Sequence, residues 1–241
     1  MRSLSIIIPA YNEEQRLPDS LEAVKTYLDS KGFDFVEVLV VDDGSKDRTA
    51  QIVRETASRD SRVRLVSNPG NRGKGYAVRH GMQEAKGDWI LFTDADLSAP
   101  IAELDKLITA VLREKADGAI GSRALDRSLV GRHQSFAREL AGRTFNLLMR
   151  LATGLPYRDT QCGFKMLSHE AARVVAARQQ SEGFGFDVEI LYIAKKHGFR
   201  VLEVPVRWFN VEGTKVSMWN GFTAFADPWR VRLNDLKGLY K

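Results

Sequence analysis

The first half of the chain alternates short apolar runs with amphipathic stretches. The apolar runs are rich in β-branched residues and several are apolar on both faces, which predicts strands buried on both sides. The stretches between them carry apolar residues at helical spacing. This alternation is typical of the α/β class, with a mixed, mostly parallel sheet covered by helices on both faces. The predicted strands are LSIII (4–8), VEVLVV (36–41), VRLVS (63–67), WILFT (89–93) and DGAIG (117–121), and the predicted helices span 14–30, 46–60, 75–86 and 101–115.

The regular alternation stops near residue 122, and arginines become frequent. Residues 123–150 hold six arginines against two acidic residues, and a helix is predicted over 135–152. No internal repeat, low-complexity tract or linker separates the two halves of the sequence. We interpret residues 1–241 as one domain in which the second half elaborates the first.

The last part of the sequence, residues 221–241, combines apolar and basic residues. Their roughly helical spacing predicts an amphipathic element at a membrane interface, which Pro228 breaks into two pieces. The alternative is a C-terminal helix packed on the core. The apolar positions are Phe222, Phe225, Trp229, Leu233, Leu236 and Tyr240, and the cations are Arg230, Arg232, Lys237 and Lys241.

The composition of the chain limits which classes of function it can have. The 241 residues are 44% hydrophobic, enough for a full core, and the net charge of +5 suits a polyanionic partner. The single cysteine, Cys162, excludes an internal disulfide and favours a reducing compartment. No apolar run approaches the roughly 18 residues of a membrane span. The first strand starts so close to Met1 that we expect no signal peptide.

Acidic residues follow three of the predicted strands, in the stretches PAYNEE (9–14), DDGSKDRT (42–49) and DADLS (94–98). In open sheets of this class, ligands bind beyond the carboxyl ends of the strands. So many carboxylates at one edge would repel each other unless a cation or hydrogen-bond donors lay among them. The acids concerned are Glu13, Asp42, Asp43, Asp94 and Asp96.

Asp94 and Asp96 are the strongest metal candidates. In an extended segment residues two apart point the same way, so both carboxylates can face one ion. Oxygen ligands suit Mg²⁺ or Mn²⁺, and Mg²⁺ typically takes one or two carboxylates together with substrate phosphates. The alternative is that one of these residues caps the helix that begins near Pro100.

The stretch NRGKGYAVRHG (71–81) places a glycine-rich turn with Arg72 and Lys74 before a predicted helix. It suits a phosphate or base contact, although such turns are also common without a ligand. No G-x-G-x-x-G follows the first strand and no Walker lysine loop is present, which disfavours dinucleotide dehydrogenases and P-loop NTPases. Tyr11 with Glu13 and Asp42 suggests instead a stacked base and a ribose held by acids.

PAYNEE, VVDDGSKDRT, NRGKGYAVRHG and FTDADLS, in this order, resemble glycosyltransferase family 2, inverting GT-A enzymes that use nucleotide-sugars. The second half is similar to the dolichyl-phosphate β-glucosyltransferases and other polyprenyl-phosphate glycosyltransferases. Their eukaryotic members carry an N-terminal membrane anchor that we do not find, so we expect a prokaryotic, peripheral enzyme. Ser98 stands where mannose-transferring relatives often have Gln, which puts it in doubt as a metal ligand. The similar stretches are GSR (121–123), RDTQCGFKML (158–167), FGFDVEILYIA (184–194), VPVRW (204–208) and EGTKVSMW (212–219).

The resemblance implies transfer of glucose from UDP-glucose to a polyprenyl or dolichyl monophosphate, giving a β-linked lipid-phosphate sugar. It implies Mg²⁺ or Mn²⁺ as cofactor and a peripheral place on the cytoplasmic face of an anionic membrane, with no nucleic acid partner. GDP-mannose or another UDP-sugar, or a sugar-hydroxyl acceptor, are alternatives within the family. A non-catalytic protein that binds a nucleotide-sugar or an anionic lipid is the alternative from another class.

The resemblance also assigns residues. Residues 1–122 would form the nucleotide-sugar half, 123–220 the acceptor half and 221–241 the membrane-interface helix. Asp187 with Glu189 would be an acid pair at the acceptor site or a buried structural pair. Arg138 and Arg143 could instead be a solvated helix face. The residues assigned to the nucleotide-sugar are Pro9, Tyr11, Glu13, Asp42, Asp43, Lys74 and Asp94. Asp94 and Asp96 are assigned as metal ligands, and Asp94, Asp96 and Asp187 as catalytic residues. The residues assigned to the acceptor phosphate are Arg123, Arg138, Arg143 and Lys215.

Other polar residues receive weaker assignments. Cys162 is interpreted as a small buried residue rather than a nucleophile. His80 could belong either to the site or to the surface. His133, His169 and His197 show no metal-ligand spacing and are expected at the surface or in loops.

Overall fold

A central sheet of seven strands organises the computed structural model, which describes residues 3–131, 149–209 and 227–241. The strands are rich in valine and isoleucine, which pack well on a pleated surface. The bounds are β1 Ser3–Ala10, α1 Leu17–Asp29, β2 Phe35–Asp42, α2 Thr49–Ala57, β3 Val63–Ser67, α3 Lys74–Glu84, β4 Trp89–Thr93, a 3₁₀ turn Ile101–Glu103, α4 Leu104–Glu114, β5 Gly118–Ser122, a 3₁₀ turn Arg127–Leu129, β6 Phe164–Ser168, α5 His169–Arg178, α6 Phe186–Lys196, β7 Val201–Pro205 and α7 Asp227–Leu236.

The strand order is β3-β2-β1-β4-β6-β5-β7, and every neighbouring pair is parallel except those that involve β6. β6 runs antiparallel between β4 and β5. The predicted α/β class, with a mixed and mostly parallel sheet, is therefore confirmed. All five strands predicted from the first half form, and β3 and β4 have the predicted bounds.

Apolar layers cover both faces of the sheet. Ile6 and Ile8 of β1 pack with Leu104 of α4 on one face, where α1 also lies. Ile7 points the opposite way and packs with Val78 of α3 in the layer that includes α5 and α6. Alternate residues of a strand face opposite sides, so one strand contributes to both layers. The predicted helices on both faces are confirmed.

The second half contains β6, α5, α6 and β7, which were not predicted, and its two successive helices break the regular strand–helix alternation as expected. β6 has the sequence FKMLS, and the side chain of Lys165 is completely buried. A charged residue in a five-residue run breaks the apolar pattern on which strand prediction depends. The helix predicted over 135–152 lies mostly outside the described residues, and its end is helical from Met149.

The register brings several strand ends to one edge of the sheet, here called the carboxyl edge. Ala10 pairs with Asp42, and Ile7 with Phe92, so β1, β2 and β4 end together. Because β6 is antiparallel, its first residue pairs with the last residue of β4. The segments that meet at this edge follow β1, β2, β4 and β5 and precede β6.

The C-terminal helix α7 packs on the core through part of its surface. Val231 of α7 and Tyr240, which lies beyond the end of this helix, are buried in the layer that contains α6. Pro228 is the second residue of the described helix, and the piece predicted to precede it lies outside the described residues, so the break at Pro228 stays a prediction. Tyr240 was predicted on the interfacial face and lies in the core instead. Phe222 and Phe225 lie outside the described residues.

A second surface of the same helix remains apolar and exposed. Trp229, Leu233 and Leu236 are 64%, 55% and 78% exposed. Within the described ranges, none of the helices is long and apolar enough to cross a membrane.

Replacing Gly118 by alanine tests the pairing that holds β5 on β6. The added Cβ would lie 2.7 Å from the carbonyl oxygen of Met166, which is backbone and cannot rotate away. We expect the free energy of unfolding, measured by urea denaturation, to fall by about 1–3 kcal/mol. Gly32→Ala is the control because nothing lies within 4 Å of its added Cβ. Equal stability of the two variants would contradict this packing.

Candidate active site

Asp43 organises the glycine-rich turn, residues 70–73, at the carboxyl edge. One carboxylate oxygen accepts hydrogen bonds from Asn68 Nδ2 at 2.7 Å and from the Arg72 backbone N–H at 3.0 Å. The other accepts the Gly73 N–H at 2.7 Å, and Gly73 adopts a φ of 106° that favours glycine. Asp43 is buried and thus fixes the turn that leads into α3.

Lys74, the first residue of α3, reaches the Asp94 carboxylate with an Nζ–Oδ1 distance of 2.5 Å. Burial alone would lower the pKa of Lys74, but the nearby carboxylates of Asp94 and Asp187 outweigh it and raise that pKa. The amino group therefore stays charged at neutral pH. The glycine-rich turn thus places a cation against the end of β4.

Gly163 supports Asp94 from the other side. A Cβ at Gly163 would collide with the Asp94 carboxylate. The position therefore needs glycine for close approach rather than for backbone freedom. Gly163 was not identified from the sequence, although it lies in the RDTQCGFKML stretch, because only the pairing of β4 with β6 brings it to Asp94.

Asp96 lies in a strained turn. Its Oδ1 accepts the Ser98 N–H at 3.0 Å, and Leu97 between them has a φ of 45°, rare for a leucine. The following 3₁₀ turn has Pro100 before it and no side-chain cap, so the alternative that Asp94 or Asp96 caps this helix is wrong. Strain of this kind persists where the surroundings enforce it, often at functional sites.

Arg16 connects two of the acidic segments, and it was not identified from the sequence. Its Nε lies 2.8 Å from Glu13 Oε2, and its Nη1 lies 3.8 Å from Asp96 Oδ2. A single guanidinium therefore partly compensates the acids that follow β1 and β4. The sequence signal was its place two residues after PAYNEE, in the turn before α1.

Asp187, in the first turn of α6, forms an ion pair with the fully buried Lys165 of β6. Burial raises the pKa of Asp187, while Lys165 and Lys74 oppose that rise. Lys165 also donates to the carbonyl oxygen of Cys162 at 2.7 Å. Lys165 and Lys74 thus face Asp187 and Asp94 in one cluster of alternating charges.

Glu189 does not share this cluster. It accepts hydrogen bonds from the backbone N–H groups of Gln180 at 3.0 Å and Ser181 at 2.7 Å, and from the Tyr240 hydroxyl at 2.5 Å. Residues two apart on a helix point in different directions, so Asp187 and Glu189 are not an acid pair at one site. The interpretation as a buried structural residue fits Glu189.

Arg123, directly after β5, forms a bidentate pair with the buried Asp159. Nε lies 2.7 Å from Oδ2 and Nη2 lies 2.8 Å from Oδ1, and the guanidinium carbon is 4.8 Å from the centre of the Trp208 ring. Burial would raise the pKa of Asp159, but Arg123 outweighs it and holds that pKa below its usual value. This pair uses two of the five N–H donors of the guanidinium and leaves three for other acceptors. Asp159 was not identified from the sequence.

Several predicted residues have other surroundings or cannot be placed. Cys162 is fully buried, as predicted, and burial raises the pKa of its thiol to about 12, which disfavours a nucleophilic thiolate. His80 Nδ1 lies 2.7 Å from Oδ1 of Asn68, whose Nδ2 donates to Asp43. His169 and His197 bond to backbone carbonyls. Four predicted residues lie outside the described residues: His133, Arg138, Arg143 and Lys215.

The oxygen ligands at the carboxyl edge fit a divalent cation that also binds substrate. No group of three or more His, Cys, Asp or Glu side chains is placed to hold a metal within the described part of the chain. Asp94 and Asp96 are two carboxylates on one turn, and Mg²⁺ commonly combines that number with substrate phosphates and water. The residues present therefore fit a shared metal–diphosphate site better than an all-protein cage.

Comparison with known proteins places the chain among glycosyltransferases. Residues 5–175 match the family model described as Glycosyl transferase family 2. A dolichyl-phosphate β-glucosyltransferase of Drosophila melanogaster is 38% identical, over 99% of this chain and 77% of that protein. Another, from Trichomonas vaginalis, is 36% identical over 89% of this chain and 68% of that protein.

The fold is also that of a solved glycosyltransferase. Glucosyl-3-phosphoglycerate synthase of Mycobacterium tuberculosis, solved with Mn²⁺, UDP-glucose and phosphoglyceric acid, superposes with a TM-score of 0.69. The likeness covers 97% of this chain and 79% of that one at 19% sequence identity, so it establishes the fold alone. The GT-A fold expected from the sequence resemblance is confirmed.

Replacing Arg123 by methionine should change how the free energy of unfolding depends on pH. Wild-type Asp159 has a lowered pKa, so its stabilising effect is present above pH ~4 and is lost as the pH falls through the native pKa. Without Arg123 the buried carboxylate should instead have a raised pKa. We expect a loss of about 2–3 kcal/mol at pH 7, less than for a fully buried pair because Arg123 is partly exposed.

The difference between wild type and Arg123→Met should shrink as the pH falls, because protonated Asp159 no longer buries a charge. Thermal unfolding from pH 4 to pH 8 measures this. Arg113→Met is the control, since Arg113 pairs with Glu114 at an exposed site. A difference that is constant with pH would show that Asp159 does not depend on Arg123.

Proposed function

The chain belongs to glycosyl transferase family 2, and from this membership we propose that it transfers glucose from UDP-glucose to a polyprenyl monophosphate. Inversion would give a β-linked lipid-phosphate sugar. The observation that carries the choice of acceptor is the similarity to dolichyl-phosphate β-glucosyltransferases, which extends over 99% of the chain and so includes its second half. GDP-mannose or another UDP-sugar is the alternative donor.

The nucleotide-sugar is assigned to residues 1–122. Tyr11 would stack on the base, with Pro9 beside it, and Glu13 and Asp42 would bind the nucleoside. Asp43 acts differently from these residues, because both its oxygens already hold the glycine-rich turn. We therefore assign Asp43 to positioning that turn rather than to direct contact with the ligand.

The diphosphate is assigned to Lys74, Asp94 and Asp96, with Mg²⁺ or Mn²⁺ held by the two carboxylates. When bound, a divalent cation acts as a Lewis acid on the leaving diphosphate. Lys74 adds a second positive charge beside Asp94, and its raised pKa supports that role. Arg16, between Glu13 and Asp96, would hold the Asp96 segment against the turn before α1.

The acceptor is assigned to residues 123–220. Its phosphate is already an anion at neutral pH, so the reaction needs no strong base but a cationic cradle that holds the attacking oxygen in line. Arg123 suits this cradle because Asp159 fixes its planar fork and leaves further N–H groups to donate. Arg138, Arg143 and Lys215 remain proposed partners from segments outside the described residues.

Asp187 is assigned an electrostatic role. It is ion-paired with Lys165 and only 4% exposed, which disfavours it as the general base that a sugar-hydroxyl acceptor would require. Its charge helps to keep Lys74 protonated beside Asp94. The alternative of a non-catalytic binding protein is disfavoured because the acids that would serve a metal and a diphosphate are all present at the edge.

The exposed surface of α7 is assigned to an anionic membrane, on its cytoplasmic face. Trp229, Leu233 and Leu236 would enter the interface, and Arg230 and Lys237 would lie near lipid phosphates. Arg232 donates to the Tyr192 hydroxyl at 2.7 Å within the protein, so it would contribute less than an arginine directed wholly to lipid. A polyprenyl acceptor resides in such a membrane, so this contact would bring the enzyme to its substrate.

A panel of nucleotide-sugars, incubated with polyprenyl phosphate and Mn²⁺ and read by the mass of the lipid product, tests the proposed function. We expect UDP-glucose to give a hexosyl-phosphate lipid and Asp96→Asn to give none. Losing a metal-binding carboxylate should cost several kcal/mol of transition-state stabilisation, or about a thousand-fold in rate. Asp19→Asn, a change of the same kind on α1, should keep wild-type turnover. Near-wild-type turnover of Asp96→Asn would exclude the metal role, and product from another nucleotide-sugar alone would identify a different donor.

Replacing Trp229, Leu233 and Leu236 by serine should weaken flotation with anionic liposomes at least ten-fold, because each buried side chain contributes roughly 1.5–3 kcal/mol. Leu112→Ser is the matched control, since Leu112 on α4 is 55% exposed, as Leu233 is. Transfer to a short, water-soluble prenyl phosphate should survive, because the carboxyl edge is unchanged. Equal flotation of the triple variant and wild type would exclude α7 as the membrane contact.

A further inference from the structure

Glu189 is the centre of a buried hydrogen-bond network that the proposed mechanism does not use. It is fully buried, and its Oε2 accepts the Ser181 N–H at 2.7 Å. Its Oε1 accepts both the Gln180 N–H at 3.0 Å and the Tyr240 hydroxyl at 2.5 Å. One carboxylate thus joins the end of the chain to the loop between α5 and α6.

That loop, residues 179–183, lies directly against the start of α3. The Glu182 carbonyl oxygen accepts the Tyr76 N–H at 3.1 Å, and Gln179 Nε2 donates to the Gly75 carbonyl oxygen at 2.8 Å. A Cβ at Gly73 would lie 2.5 Å from the Glu182 carbonyl oxygen. Contacts this close between backbones leave no space for independent movement, so the loop and the glycine-rich turn must move together.

Lys74 lies between the residues that this loop holds. Its neighbours Gly73 and Gly75 both pack on the loop, and its own amino group reaches Asp94 at 2.5 Å. Arg72 adds a link from the other side of the turn, since its Nη2 lies 2.6 Å from Glu182 Oε1. The position of Lys74 relative to Asp94 therefore depends on the position of the 179–183 loop.

Tyr240 is itself fixed at several points. Its side chain is completely buried, and Asn234 Nδ2 donates to its hydroxyl at 3.2 Å. His197 Nε2 bonds to its carbonyl oxygen at 2.9 Å, and its ring centre lies 6.0 Å from that of Tyr192. The hydroxyl thus has a defined place from which it can hold Glu189 in one orientation.

We propose that Tyr240 is a positioning residue for the nucleotide-sugar site, acting through Glu189 and the 179–183 loop on Lys74. The inference rests on the proposed function, because it takes Lys74 as the residue that meets the diphosphate. Without the Tyr240 hydroxyl, Glu189 keeps only the hydrogen bonds from the two loop amides, so it no longer ties the loop to the C-terminal segment. Displacement of a binding group by about 1 Å is enough to weaken its action strongly.

The experiment compares Tyr240→Phe with Tyr192→Phe. Both changes remove one hydroxyl from the contact between α6 and the C-terminal segment. The Tyr192 hydroxyl bonds to Asp235 at 2.6 Å and Arg232 at 2.7 Å, both on α7, whereas the Tyr240 hydroxyl bonds to Glu189. Calorimetry with UDP and Mn²⁺ measures affinity, and thermal unfolding measures stability. We expect Tyr240→Phe to raise the dissociation constant for UDP about ten-fold, as for one lost hydrogen bond to a charged group, and Tyr192→Phe to leave it unchanged.

Hydrogen exchange provides a readout that does not depend on UDP. Amide exchange at residues 180–182 and 73–76 should accelerate in Tyr240→Phe and not in Tyr192→Phe. Unchanged exchange in Tyr240→Phe overturns the inference, and so does an equal loss of UDP affinity in the two variants. If wild-type protein binds no UDP, the proposed function fails, and the exchange data still decide whether Tyr240 positions the turn.

Discussion

Repulsion among carboxylates is the constraint on which this structure depends. The parallel arrangement of β1, β2 and β4 brings their acidic ends to one edge of the sheet, and like charges at close range oppose that arrangement. The chain compensates with cations from distant segments. Lys74 comes from the start of α3, Lys165 from β6, and Arg16 from the turn before α1. Each ion pair therefore also fixes one structural element against the carboxyl edge.

Asp43 and Glu189 extend the same principle from ion pairs to backbone amides. Each is a buried carboxylate that accepts two backbone N–H groups from one loop. Hydrogen bonds to a carboxylate are stronger than those between neutral groups. The two loops pack against each other at Gly73 and Gly75. The turn that precedes Lys74 is therefore held by a carboxylate on either side.

The first half of the fold could be predicted from the sequence because its signals are local. β3 and β4 have the predicted bounds, since each is a run of apolar and β-branched residues flanked by polar ones. The acids of the carboxyl edge were identified because the ends of parallel strands meet at one edge. The family resemblance supplied the remaining assignments in the second half, including Arg123.

The residues that could not be predicted depend on non-local pairing. Asp159 becomes the partner of Arg123, and Gly163 the support of Asp94, only because β6 inserts between β4 and β5. β6 itself was missed because Lys165 interrupts its apolar pattern, and that lysine is tolerated in the core through its pair with Asp187. Tyr240 was predicted at a membrane interface, since an aromatic residue at helical spacing does not reveal which surface it faces. Hydrophobic periodicity reports burial but not the partner.

The position of β6 has a consequence for the order of folding. β5 precedes β6 in the chain, yet in the sheet it contacts β6 and β7 and not β4. The strands β1 to β4 can therefore pair as soon as they are synthesised, whereas β5 must wait until residues 164–168 have emerged and docked on β4. Closing that separation is entropically costly, and an unpaired strand edge is prone to association with other chains. We therefore expect the docking of β6, which completes the candidate site, to be the slow step of assembly, with the edge of β4 unpaired until then.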